Sequence, residues 1–262
     1  MHATTFEELG LSQDTLDALN KKGFTEPSEI QARTIPMILK EECDIIGQAQ
    51  TGTGKTAAFG LPIIDTLTPN IGHIQTLILT PTRELTLQVS KELSSLIGNK
   101  RLQVTAIYGG ESIEKQIRQL KKQNDIVVGT PGRLIDHIRS KRIHLSHIKY
   151  VVLDEADEML NGGFIEDIEH ILSKTNPDRK TLLFSATMPD QIRKLAQKYM
   201  KDYTTIKTAH KTLATSLTEQ IYYEIRESDK LETLCRVIDS ADDFYGLIFC
   251  RTKRDVDTIT EK

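Results

Sequence analysis

The chain has 262 residues, of which 38% are hydrophobic and 27% charged, with a formal charge of −3. That balance suits a globular protein and excludes nucleic-acid binding through bulk positive charge, although a local phosphate-binding surface remains open to it. No apolar run approaches the ~18 residues a membrane helix needs. The opening MHATTFEELG also lacks a signal-peptide pattern, so a cytoplasmic location with no membrane partner is expected. Cys43, Cys235 and Cys250 form no CxxC pair and sit in or beside apolar segments, which predicts reduced core residues.

Leu9, Leu11, Leu16 and Leu19 predict a short amphipathic helix within Phe6–Lys22, with Ser12 as N-cap. Gly23 ends it, Pro27 prevents its continuation, and Ser28 caps a second helix that carries Ile30, Ile35 and Ile38 toward a core. The Gln31 amide on that helix donates and accepts at once, which is what an adenine edge asks for; taken alone it reads as a surface glutamine, and only its position just upstream of a phosphate loop singles it out.

An apolar strand, Cys43 to Gly47, then runs into AQTGTGKT and an Ala-rich helix. This is the layout of a phosphate-binding loop, built from Ala49, Gln50, Thr51, Gly52, Thr53, Gly54, Lys55 and Thr56. Gly52 and Gly54 let successive N–H groups converge on an anion, and the helix adds the positive end of its dipole. Lys55 reaches the β- and γ-phosphates, and the Thr56 hydroxyl ligates Mg²⁺. The usual pattern opens on glycine; here that position is Ala49.

Strand and helix alternate from there. Strands are expected at Ile74–Thr80, Asp125–Gly129, Tyr150–Leu153 and Leu182–Phe184, a strand and then a turn over Gln103–Gly110, and a helix at Pro81–Ile97. The pattern implies a parallel sheet with helices on both faces, whose C-terminal strand ends form one ligand-binding edge. Asp154 and Glu155 arrive at that edge directly from a buried strand; Asp154 suits Mg²⁺, and Glu155 suits the water that attacks a γ-phosphate. Ser185 and Thr187 end the next strand, within reach of Asp157. Three helix starts at the same edge, Pro81-Thr82-Arg83, Gly109-Gly110-Glu111 and Thr130-Pro131-Gly132-Arg133, offer free N–H groups and arginines to a nucleic-acid backbone without reading bases.

After Tyr203 the pattern changes. A linker is expected at 208–217, then a strand at Glu219–Arg226, a helix over about Asp229–Asp239, a strand at Gly246–Cys250 and a further helix from Thr252. A unit of ~45 residues buries too little surface to stand alone as a domain.

GFTEPSEIQ, AQTGTGKT, PTRELTLQ, GG, TPGR, DEAD and SAT occur in this order, and GLIFCRTK follows them. On these motifs the chain resembles the first RecA-like domain of a DEAD-box ATP-dependent RNA helicase, followed by the start of the second. The resemblance implies an α/β RecA-like P-loop NTPase domain over 1–207, the linker, and an incomplete second α/β domain over 218–262. It implies ATP and Mg²⁺ as ligands, with Phe24 stacked on adenine, Phe6 supporting it and Gln31 on the adenine edge. It also implies that Asp157, Ser185 and Thr187 couple nucleotide to RNA, and that Pro81, Thr82, Arg83, Gly110, Thr130, Gly132 and Arg133 line the RNA backbone, single-stranded or duplex, regardless of sequence. Thr86 replaces the commoner alanine at a position expected to lie outside this chemistry. No HRxGRxGR-like stretch is present, so the chain is expected to be a truncated part that binds nucleotide but hydrolyses it poorly alone. A nucleotide-gated RNA clamp without productive unwinding is the alternative.

Overall fold

The structure is a computed structural model that describes residues 4–40, 43–208, 219, 221–241 and 243–261. The chain divides into two compact units, residues 1–210 and 211–262.

The first unit is built on seven parallel strands: β1 (Ile45–Gln48), β2 (Thr76–Leu79), β3 (Val104–Ile107), β4 (Ile126–Gly129), β5 (Tyr150–Asp154), β6 (Lys180–Ser185) and β7 (Thr204–Lys207). Their order across the sheet is β3-β4-β2-β5-β6-β1-β7. Helices α1 (Gln13–Lys21) and α2 (Glu29–Lys40) precede the first strand, and between the strands run α3 (Lys55–Thr66), α4 (Arg83–Leu96), α5 (Ile113–Leu120), α6 (Pro131–Arg139), α7 (Ala156–Asn161), α8 (Ile165–Lys174) and α9 (Asp190–Tyr199).

Side chains alternate across each strand, so both faces must be covered. Ile45, Ile78, Ile126, Val128, Val152, Leu182 and Phe184 join the core formed with α1 to α4. Ile46, Leu77, Leu79, Val127, Val151, Leu153 and Leu183 join the core formed with α6, α8 and α9. Gly47 is required by this packing, because a Cβ there would sit 2.5 Å from the ring of Phe184.

Several local expectations change in the folded chain. The segment expected as one helix over Phe6–Lys22 is a 3₁₀ turn (Glu7–Leu9) followed by α1, divided at Gly10, whose φ is 84°. Ser12 holds the N-cap position, but its hydroxyl goes to Asp65 instead of the helix backbone. Asp65 also accepts from the Ser12 N–H and the Thr15 hydroxyl, both at 2.8 Å, and pairs with Lys100 at 2.5 Å, which ties α1 to the end of α3. Strand β7 carries little apolar signal because only Ile206 is buried along this edge strand.

In the second unit the described residues form a 3₁₀ turn (Glu227–Asp229) and helices Lys230–Asp239 and Lys253–Thr260. The strands expected at 219–226 and 246–250 do not form among the described residues; a strand exists only through its ladder, and neither segment has a partner there. Apart from Thr208, the expected linker lies outside the described residues. Cys235 is exposed, unlike the expected core cysteine, since none of this unit's described residues is buried.

Candidate functional site

All seven strands are parallel, so their C-terminal ends share one edge, and the motifs from AQTGTGKT to SAT each fall at or just after such an end. The loops after β5, β6 and β1 stand side by side on one half of the edge; those after β3, β4 and β2 stand on the other.

On the first half, the Ala49 N–H bonds the Ser185 carbonyl, then the chain turns through Gly52 (φ 79°) and Gly54 (φ 86°), both left-handed. The Thr53 hydroxyl closes the loop on the Gln50 carbonyl at 2.8 Å. Lys55 opens α3 almost fully buried, its ammonium donating to the Ala49 carbonyl at 3.2 Å. Gln31 is also buried: its Oε1 accepts from the Ser28 N–H at 2.9 Å and its Nε2 donates to the Gly54 carbonyl at 3.1 Å. A Cβ at position 54 would collide with that amide. This direct tie between Gln31 and the phosphate loop is not visible in the sequence. Behind the half-buried Phe24 lies Phe6, buried and edge-on, with ring centroids 6.3 Å apart.

Strand β5 stays buried through Asp154, which is 3% exposed and whose Oδ1 has no hydrogen-bond partner among the described residues. Burial pushes its carboxyl up to about 7; the Lys55 charge opposes that rise, and Glu155 and Asp157 add to it. An orphaned carboxylate oxygen on a buried strand end fits a hard cation. Among the described residues no three His, Cys, Asp or Glu side chains converge into an all-protein cage. Magnesium needs none, since it keeps waters and phosphate oxygens in its shell.

Glu155 follows with φ 53° and ψ 53°, a left-handed backbone that a non-glycine residue adopts at a cost of ~1–2 kcal/mol. Asp157 donates its N–H to the Ser185 hydroxyl oxygen at 3.2 Å, and its Oδ2 accepts the N–H and hydroxyl of Thr187, both at 2.8 Å. Burial alone would raise Asp157, but the bonds from Ser185 and Thr187 outweigh it and hold the carboxyl below its ordinary range. The Gln48 amide donates to the Ala186 carbonyl, so the ends of β1, β5 and β6 are joined.

On the second half, Thr82 caps α4, its hydroxyl accepting from the Leu85 N–H at 3.2 Å. Thr86 lies directly beneath: its hydroxyl donates to the Thr82 carbonyl at 2.8 Å and accepts from the Thr80 hydroxyl at 2.6 Å. The departure from alanine therefore does touch this helix start. Arg83 lies over the Tyr108 ring, 5.1 Å from its centroid, while Gly110 (φ 83°) and Gly132 are exposed. Thr130 and Pro131 open α6 as expected. Arg133 turns partly inward, donating to the Glu111 carbonyl and to Gln116 Oε1, each at 3.2 Å. Sequence reasoning missed Tyr108, Gln116 and His137 in this cluster. Their one signal was spacing, since Gln116 falls three residues after Ile113, and His137 three after Leu134, on the apolar face of each helix.

A parallel sheet with a glycine-bent loop ahead of α3 and carboxylates at the next strand but one defines a RecA-like nucleotide-binding domain. The DEAD/DEAH box helicase family model matches residues 28–195, and the chain belongs to that family. It is 51% identical over 258 residues to a DEAD-box ATP-dependent RNA helicase, CshA, of Geobacillus kaustophilus, covering 98% of this chain and 55% of the relative. A probable ATP-dependent RNA helicase of Methanocaldococcus jannaschii is 51% identical over 250 residues, or 95% of this chain and 66% of that one. The crystal structure of a DEAD box protein from the hyperthermophile Methanococcus jannaschii superposes with a TM-score of 0.77 at 48% identity, over 100% of this chain and 70% of that one. The chain thus spans about half to two thirds of the length of these curated relatives. Among the described residues no helix is long and apolar enough to cross a membrane.

Proposed function

We propose that the chain is the ATP-binding part of an ATP-dependent RNA helicase, which couples ATP hydrolysis to RNA binding and to local opening of duplexes or remodelling of RNA–protein complexes. The observation that carries this reading is the buried Oδ1 of Asp154, without a hydrogen-bond partner among the described residues and in the field of Lys55, together with a loop bent at two glycines. Residues 49–56 wrap the phosphates with their N–H groups, and Lys55 exchanges the Ala49 carbonyl for phosphate oxygens. Thr56 and Asp154 would hold Mg²⁺, which would supply charge neutralisation for the transferred phosphoryl group. Glu155 polarises the attacking water. Phe24 stacks on adenine and Gln31 bonds its edge; through Gly54 the same amide informs the phosphate loop that the base is present.

Asp157, Ser185 and Thr187 transmit nucleotide state to the RNA half of the edge. There Pro81, Thr82, Arg83, Gly110, Thr130, Gly132 and Arg133 follow phosphates and sugars, which carry no sequence information. Residues 1–207 form the ATP-binding domain, 208–217 a linker and 218–262 the start of a second RecA-like domain, all in the cytoplasm. The sequence contains no HRxGRxGR-like stretch, and arginine fingers are worth ~10³ to 10⁵ in rate in related enzymes, so this chain alone turns ATP over slowly.

The test is ATP binding and hydrolysis, with and without single-stranded RNA, beside Glu155→Gln. Saturable Mg²⁺-dependent binding of ATP, with little turnover that the variant abolishes, is expected. Absence of ATP binding refutes the reading, and RNA-stimulated turnover at an ordinary enzyme rate by the monomer refutes the slow-hydrolysis part of it.

A further inference from the structure

Gln116 is fully buried, and both ends of its amide are used. Nε2 donates to the Tyr108 carbonyl at 2.9 Å and reaches the Glu111 carboxylate at 3.4 Å. Oε1 accepts from Arg133 at 3.2 Å and lies 3.0 Å from His137 Nε2. The amide has one orientation only, because a carbonyl can only accept and a guanidinium can only donate. His137 must then donate through Nε2, which leaves Nδ1 bare. Nδ1 is indeed buried without a partner among the described residues, and His137 itself is fully buried, so a second proton there would meet no acceptor among them. The network extends outward from Tyr108, whose ring carries Arg83, and a Cβ on Gly110 would lie 3.6 Å from that same guanidinium.

We propose that Gln116 and His137 are positioning residues for the RNA face: they lock the turn at 109–111 to the start of α6, so that separate helix starts present one preformed phosphate surface. This rests on the RNA reading given above. The loops after β3 and β4 come from different parts of the sequence, and among the described residues this buried hydrogen-bonded cluster links them side chain to side chain. An apolar pair would fill the same space, but it lacks the directional hydrogen bonds by which Gln116 selects a single arrangement of the two loops. A surface ordered before binding leaves less entropy to lose when the strand arrives.

The experiment uses the whole 262-residue chain with Mg²⁺, a non-hydrolysable ATP analogue and a labelled oligouridine, together with amide exchange over 109–111. Gln116→Leu takes the partner from the Tyr108 carbonyl and from His137 Nε2 and leaves Arg133 with the Glu111 carbonyl and Asp136; His137→Leu removes one donor and leaves the Tyr108 bond in place; His137→Gln keeps a donor at that site. RNA affinity is expected to fall about tenfold in Gln116→Leu and a few-fold in His137→Leu, on the scale of one lost buried hydrogen bond. Exchange at 109–111 should quicken in both, His137→Gln should restore both readouts, and affinity for the ATP analogue should not follow the same pattern. The proposal is overturned if both leucine variants bind RNA as the wild type does, or if His137→Gln loses as much as His137→Leu. The His137 pair decides where Gln116→Leu does not fold. A wild-type chain without RNA affinity refutes the interface reading instead, and amide exchange then decides whether the two residues hold the turn.

Discussion

Asp154→Asn should make the nucleotide-free protein more stable above neutral pH while abolishing its response to Mg²⁺ and ATP. The folded carboxyl sits at about 7 against an ordinary 3.8, mainly because burial strips its solvent. A folded value above the unfolded one means that the favourable contribution is present below pH 3.8, where the group is neutral in both states. It is then lost as pH rises through 7. At ~1.4 kcal/mol for each pH unit, the gap amounts to about 4 kcal/mol once both states are ionised. Asparagine stays neutral throughout, and whatever its own amide costs at this site is the same at every pH. The difference between variant and wild type should therefore be flat below pH 4, grow between 4 and 7, and level off beyond. In thermal melts it approaches about 10 °C at pH 8 relative to pH 4. Unfolding curves from pH 4 to 8 test this without nucleotide. Parallel pH profiles for the two proteins would refute the claim that Asp154 is held at a cost until a cation joins it.

Asp157 should behave in the opposite sense. Its folded value is held low by Ser185 and Thr187, so its contribution is present above pH 3.8 and lost as pH falls through the folded value. Thr187→Val removes one of two donors to Oδ2, costing ~1.5–3 kcal/mol near neutrality and moving acid unfolding to higher pH; an unchanged acid midpoint speaks against it. At Glu155 the left-handed backbone reverses the usual helix order, so Glu155→Gly should be more stable than Glu155→Ala by about 1 kcal/mol in urea titrations. Equal or inverted stabilities would show that the strain is absent. Gly47→Ala drives a methyl group into Phe184, which packs on Phe59 with centroids 5.3 Å apart, and should lower stability by ~1–3 kcal/mol; a melt within 1 °C or so of wild type would contradict it.

The sequence by itself determined the elements and the types of residue at the site. Alternating buried strands, the glycines at 52 and 54, and Thr130-Pro131 at a helix start are local signals, set by backbone sterics and side-chain period, and they hold wherever the chain later packs. Because every strand is parallel, placing those motifs at strand ends also placed them on one edge. Local reasoning failed where a partner decides the outcome. Strand β7 is too polar along its exposed edge to announce itself, and segments 219–226 and 246–250 have the composition of strands but no ladder to join among the described residues. Ser12 has the right chemistry for a cap, but Asp65 offers its hydroxyl and N–H a charged acceptor 53 residues away, which is stronger than a backbone amide.

Only the tertiary structure decided which polar groups meet. Gln31 reaches Gly54, and Gln116 gathers Tyr108, Arg133 and His137, each across a separation that no periodicity encodes, whereas the meeting of Thr187 with Asp157 was already legible from their places at strand ends on one edge. A glutamine on an apolar helix face reads as a defect until its partners arrive. Once buried, each of its polar atoms must find one, and the geometry of that satisfaction belongs to the fold.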